Sequence, residues 1–203
     1  RKDLGIPKST LSDWLSKYPL TDRQLGLLQA NRKLSKALAI EKTRITKQRK
    51  RESRLSFIYQ EEKNRWSSLT IRELELAGIF LYWGEGNKSL RGALSLNNTD
   101  PQVLKFTLYW LLNGLRVPKE KIKVDLHLYS DMNMDQELRF WSRELSMPLA
   151  QFRKPYIKKS KRIEVDHKGF GHGTCCLVVH DIRLKEKVLM AIKSIADFYS
   201  RDN

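Results

Sequence analysis

An α+β fold is what this sequence predicts, and three stretches carry the prediction. Residues 74–84 are almost wholly apolar and too long for an ordinary strand, so they read as a helix buried on most of its surface. Residues 121–129 alternate without error: Ile122, Val124, Leu126 and Leu128 fall on one face, and Lys121, Lys123, Asp125, His127 and Tyr129 on the other. That pattern is a half-buried strand of an antiparallel sheet. Residues 21–66 hold one glycine, Gly26, and no proline among long polar and basic side chains, which predicts one long helix or two in series. The boundaries that follow are a partial helix-turn-helix at 1–20, a basic helical linker at 21–68 and an α+β domain of mixed helices on an antiparallel sheet at 69–203.

The chain has 203 residues, 40% of them hydrophobic, enough for one real core plus a smaller module. Its 39 Lys and Arg against 23 Asp and Glu give a formal net charge of +16, which points to nucleic acid well before anionic membrane. No apolar run approaches the length that crosses a bilayer, so a cytoplasmic, nucleoid-associated protein is expected. Cys175 and Cys176 are adjacent in a strand-like run and point to opposite faces. They read as packed thiols of a reducing compartment rather than a disulfide or a metal site.

In chain order, residues 3–17 read as the second half of a helix-turn-helix, with the chain starting inside the first helix. The turn falls at Leu4, Gly5, Ile6 and Pro7; the next helix opens with Lys8, Ser9 and Thr10 and buries Leu11, Trp14 and Leu15. In that arrangement Lys8, Ser9, Thr10, Ser12 and Asp13 face the major groove, while the alternative is an ordinary helical hairpin. Residues 1–66 carry 17 Lys and Arg against 7 Asp and Glu, densest at Lys47, Arg49, Lys50, Arg51 and Arg54. Such a helix suits a phosphate backbone, or serves as a basic solvated spacer. Leu25, Leu27, Leu28, Leu34, Ala37, Leu38 and Ile40 make it somewhat amphipathic without a sustained heptad. Residues 67–70 cap the next helix and mark the domain boundary.

The apolar run ends in Gly84, Glu85 and Gly86, and Gly86 is its natural stop. Glu85 then sits at the negative end of the helix dipole, where a carboxylate is disfavoured unless something positive balances it, and a divalent cation would do so. Leu94 and Leu96 mark a short half-buried strand, with Asn97 on its other face, and Asp100 followed by Pro101 starts a helix that runs to about Asn113. Asp131, Asn133 and Asp135 imitate a calcium loop, but Gln136 and Ser142 stand where glycine and the closing glutamate are needed. They read instead as caps of a helix burying Leu138, Phe140, Trp141 and Leu145, with Asn133 and Gln136 spaced as a capping box. Residues 151–180 look like a hairpin, one strand centred on 151–157 and the other at 174–180, with glycines 169, 171 and 173 in the loop. Residues 151–168 hold 7 Lys and Arg against 2 acids, so Arg153, Lys158, Lys159, Lys161 and Arg162 are candidate phosphate contacts beside a single loop aromatic, Phe170. His167 and His172 lack a matching ligand pair nearby and are expected to touch phosphate or solvent. A last helix at about 182–199 places Leu184, Val188, Ile192 and Ile195 at core spacing.

The segment 78–86, GIFLYWGEG, resembles the signature helix of the LAGLIDADG homing endonucleases, and the strand, Asn97, Asn98, Thr99, Asp100 and helix that follow recur in that family's domains. The resemblance covers about two thirds of the chain and departs at Phe80 and Trp83. It implies that two such helices pack side by side at a twofold axis, so one motif per chain implies a homodimer meeting at Ala77, Phe80, Leu81 and Gly84. It implies that Glu85 and the Gly84 carbonyl bind a divalent cation such as Mg2+ beside the scissile phosphates, with Glu85 the catalytic acid. It also implies that the exposed sheet face lies in the DNA major groove, making Arg91, Asn97, Lys121, Lys123 and His127 contacts to double-stranded DNA. A regulator that kept the fold for grip and lost cleavage is the rival expectation. An RNA-binding protein is a weaker one, because the sequence shows no exposed aromatic pairs on strands to stack unpaired bases.

Overall fold

The computed structural model describes residues 5–164 and 171–200. The chain divides into two units, Arg1–Ser67 and Ser68–Asn203. Leu4, His167, Lys168, Gly169 and Phe170 lie outside the described residues. Among those described there are six α-helices and one four-stranded sheet, and no helix is long and apolar enough to cross a membrane.

The first unit is helical. Gly5 turns the chain at φ +59°, a conformation that favours glycine, and α1 follows at Lys8–Ser16. Its expected burial is not met: Leu11 is half-buried, but Trp14 and Leu15 are 58% and 57% exposed. A nine-residue helix followed by a short connection leaves no second apolar layer over them among the described residues of the unit. Then α2 spans Asp22–Arg65 as one continuous helix of 44 residues, opened by a Thr21 and Gln24 capping box, and buries none of its residues.

The second unit holds the core. Helix α3, Ile71–Glu85, opens with another capping box, Thr70 with Glu73, whose bonds hold the Glu73 carboxyl below its ordinary range. The expectation of near-complete burial is corrected here. Only Leu74, Gly78 and Tyr82 are buried, because one face alone meets the rest of the unit, while Leu76, Phe80 and Trp83 stay exposed. The close approach is made by Gly78: a Cβ there would overlap the indole of Trp110. Gly86 does stop the helix, but in an extended conformation (φ −78°, ψ 159°), and for room, since a Cβ would strike the Tyr82 ring. The backbone then bridges at once to Leu96 of β1, Leu94–Asn98.

Asp100 caps α4, Pro101–Tyr109, by accepting from the Gln102 amide, with proline at the first position. The helix continues as a π-turn over Trp110–Gly114, where the Leu115 amide reaches the Trp110 carbonyl. Strand β2 is Ile122–Tyr129 and α5 is Met134–Leu145, capped by Asn133 through the Gln136 amide. Trp141 and Leu145 are buried as expected, Leu138 and Phe140 only partly. Strand β3 is a three-residue piece, Tyr156–Lys158; β4 is Thr174–Val179; and α6 is Ile182–Tyr199 with Val188 and Ile192 buried.

The sheet order is β1-β4-β2-β3, and this overturns the hairpin. Strand β4 pairs antiparallel with both β1 and β2, and β3 pairs parallel with β2, so β2 separates the two supposed partners and the sheet is mixed. The register explains the choice. Leu177 of β4 meets Leu96 and Val124, and Val179 meets Leu94 and Ile122, so the apolar β4 fills the sheet centre. The short, basic β3 takes the edge, where few of its groups need a partner. Lys185 of α6 is fully buried, its Nζ donating to the Arg91 and Ala93 carbonyls at 3.3 and 3.0 Å; burial lowers its pKa.

Candidate nucleic-acid interface

Because Leu94, Leu96, Ile122, Val124, Leu126, Leu128, Cys175, Leu177 and Val179 line the core, the residues between them share the other face. That face collects Ser95 and Asn97 from β1, Thr174, Cys176 and Val178 from β4, Lys123, Asp125, His127 and Tyr129 from β2, and Tyr156 and Lys158 from β3. Lys121 precedes β2 at its start, exposed. Expected contacts Asn97, Lys123, His127 and Lys158 are therefore brought together, whereas exposed Arg91 sits in the loop before β1.

Three residues expected at phosphate or in solvent have partners within the chain. The Arg153 guanidinium is engaged in a paired hydrogen-bonded ion pair with Asp125 and donates to His180 Nε2 at 3.2 Å, so its charge is largely used within the chain. The bond to Asp125 pushes its already high pKa up further. Arg162 is half-buried against Gly171, and its amide donates to Asp131 at 2.7 Å. His172, expected at phosphate or in solvent, pairs with buried Glu137 at 2.9 Å and stacks on Phe140 with ring centroids 3.5 Å apart. Its carbonyl also accepts from Trp141 Nε1 at 2.8 Å, so it anchors the start of β4 to α5. Lys159 and Lys161 are exposed.

Cys175 is buried in the core and Cys176 lies on the open face beside Asp125, as adjacent strand residues must. Burial first, and then the Asp125 charge, push the Cys176 thiol up to about 11.

At one edge of the sheet α3 delivers Glu85, exposed and accepting from Asn98 Nδ2 at 3.4 Å. The Gly84 carbonyl accepts from Lys88 Nζ at 3.2 Å. The positive group expected at this helix end is thus supplied in part by a lysine three residues past Glu85, a cation at a helix C-terminus. Gly84 is exposed with open space around it; Phe80 is exposed, and Ala77 and Leu81 are half-buried. No cluster of three or more His, Cys, Asp or Glu that could hold a metal ion occurs among the described residues.

In the other unit Lys8, Ser9, Ser12 and Asp13 are exposed on α1, and Thr10 is half-buried. On α2, Lys47, Lys50, Arg51 and Arg54 share one face by helical spacing while Arg49 points away from it. All five are exposed, and none has an ion-pair partner among the described residues.

Sequence reasoning missed Lys88, Asn98, and the contacts of Lys158 with Tyr129 and of Tyr156 with His127. Lys88 was legible as a cation within one turn of the helix end, and the Lys154, Tyr156, Lys158 alternation was legible as an edge strand. No match to the chain is found among family models, curated proteins or solved structures.

Proposed function

We propose that the chain binds double-stranded DNA sequence-specifically as a homodimer, and that it is a metal-dependent, site-specific endonuclease of the LAGLIDADG homing type. One observation carries the reading: α3 leaves an apolar face uncovered and closes on an exposed acid. Leu76, Phe80 and Trp83 are 46%, 49% and 36% exposed, Gly84 is open beside them, and the exposed Glu85 is the last residue of the helix. A soluble chain leaves such a stripe uncovered at a cost of about 25 cal/mol per Å² of apolar surface, which a second copy of α3 would recover.

Once paired, the two copies bring two Glu85 carboxylates near one axis, and a near-palindromic site is the expected target. The open sheet face presents Lys123, His127, Asn97 and Lys158 to base edges and phosphates. Its width across four strands is about 14 Å, comparable to a major groove of about 12 Å. The basic face of α2 adds sequence-independent grip, and α1 adds a second reading element. Glu85 and the Gly84 carbonyl are oxygen donors of the kind that hard divalent cations take, and that carbonyl already draws a cation, the Lys88 ammonium. Mg2+ bound there would activate water and stabilise the leaving oxygen.

Lys88 also favours a second reading, a transcription regulator that uses the same surfaces for recognition alone, since its ammonium occupies the carbonyl a metal would need. Incubation with a plasmid library and magnesium, followed by sequencing of ends, separates the two. Cleavage at a near-palindrome supports the nuclease, and Glu85→Gln then removes cutting by at least about a hundredfold while DNA affinity stays within about twofold. Specific binding without nicking supports the regulator, and loss of binding and cutting together in Glu85→Gln makes Glu85 structural.

A further inference from the structure

The β3 edge of the open face carries a feature that plain duplex binding does not use. Tyr156 is 61% exposed on the edge strand, and the His127 ring braces it edge-on, with centroids 5.6 Å apart and planes at 67°. Two residues further on the same face of β3, Lys158 Nζ sits 4.5 Å from the centroid of the half-buried Tyr129 ring, which holds an ammonium on the strand that carries Tyr156. Residues 154–164 hold five Lys and Arg against one acid, Glu164. That acid accepts from the Lys161 amide, and Asp125 is taken by Arg153. The edge thus offers an oriented aromatic face with a fixed cation next to it and no competing free carboxylate among these named groups.

We propose that this edge, built on Tyr156, His127 and Lys158, binds an unpaired nucleobase of a DNA strand. The base stacks on Tyr156, whose orientation His127 sets, and the flanking phosphate meets Lys158. A paired base keeps both faces inside the helical stack and cannot reach the ring, so only an extruded, bulged or single-stranded nucleotide satisfies the site. Three strand spacings, about 14 Å, separate β3 from β1, at whose end Asn98 meets Glu85, so a base held here belongs to the same duplex and not to the same step. The proposal rests on the DNA-binding reading above and adds to it a preference for distorted over fully paired DNA.

Fluorescence anisotropy with the full chain tests it, using a duplex of arbitrary sequence, the same duplex with one bulged 2-aminopurine, oligothymidylate and oligouridylate. Tighter binding of the bulged duplex with quenching of the 2-aminopurine is expected. Tyr156→Ala should weaken bulged-duplex and oligothymidylate binding about tenfold and leave the paired duplex unchanged, while Tyr156→Phe retains the preference because the ring still stacks. Lys158→Ala should instead weaken all ligands and reduce the salt dependence. Equal affinity of the wild-type chain for paired and bulged duplexes, or equal losses in Tyr156→Ala on both, overturns the proposal while leaving duplex recognition intact. Oligouridylate binding as tightly as oligothymidylate overturns the assignment to DNA. Failure to bind the paired duplex at low salt defeats the DNA-binding reading itself.

Discussion

Helices α2 and α3 begin alike, each with a threonine capping box, and owe their stability to different sources. Over 44 residues α2 buries nothing; it stands on local propensity, its cap and pairs such as Arg44 with Glu41 at 2.7 Å. Over 15 residues α3 buries Leu74, Gly78 and Tyr82 against Trp110 and its neighbours, so its position is dictated from outside. A glycine lies inside each. In α2 nothing lies within 4 Å of where a Cβ on Gly26 would be, whereas in α3 the place beyond Gly78 belongs to an indole. The same residue type is a flaw in one helix and a requirement in the other, and the difference separates a helix exposed along its whole length from one that forms a core.

That contrast can be broken most sharply at Gly78. Gly78→Ala should destabilise the second unit by about 3 kcal/mol, read as a lower urea midpoint, because Trp110 is itself fully buried and has nowhere to move. A midpoint within experimental scatter of wild type would mean that α3 is held as loosely as α2. A smaller effect is pH-dependent and confined to the unit with the core. Cys176 has a folded pKa raised from 9.0 to about 11. Below about 9 both states carry the thiol and its contribution is fully present. Between the two values the unfolded chain loses the proton while the folded chain keeps it, so stability falls with rising pH by up to about 2 kcal/mol. Cys176→Ser should flatten that window in urea titrations. The smallest effect is a gain: Gly26→Ala should stabilise α2 by at most about 1 kcal/mol, seen as higher helicity at elevated temperature with the urea midpoint of the second unit unchanged.

The same division governs how much was legible in the sequence. Strand β2, the Asp100 and Pro101 helix start and the apolar spacing of α6 were all readable because each rests on periods and caps contained within its own stretch. The pairing of β4 with β1 and β2 was not, because it depends on Leu94, Leu96, Ile122 and Val124, 53 to 85 residues from their partners, offering a better apolar match than the nearby β3. His172 likewise looked solvated since its partners, Glu137 and Phe140, come from another helix. Of the candidate site, the exposed Glu85 and the cationic open face were readable from charge and alternation. The local Lys88 bond to Gly84 was legible too, whereas the contacts of Tyr156 with His127 and of Lys158 with Tyr129 were not, because only the fold brings β3 beside β2.

Both borders of the sheet are protected, by different means. Beside β1, the Gly86 bridge to Leu96 and the Asn87 amide bond to the Ser95 carbonyl occupy groups that a foreign strand would use. Beside β2, only three residues of β3 stand at the rim, with Lys154 before them and Lys158 and Lys159 at their end. Among the described residues a neighbouring copy therefore meets at β3 only a ladder of three residues flanked by lysines, a length and charge that disfavour zipping into fibrils.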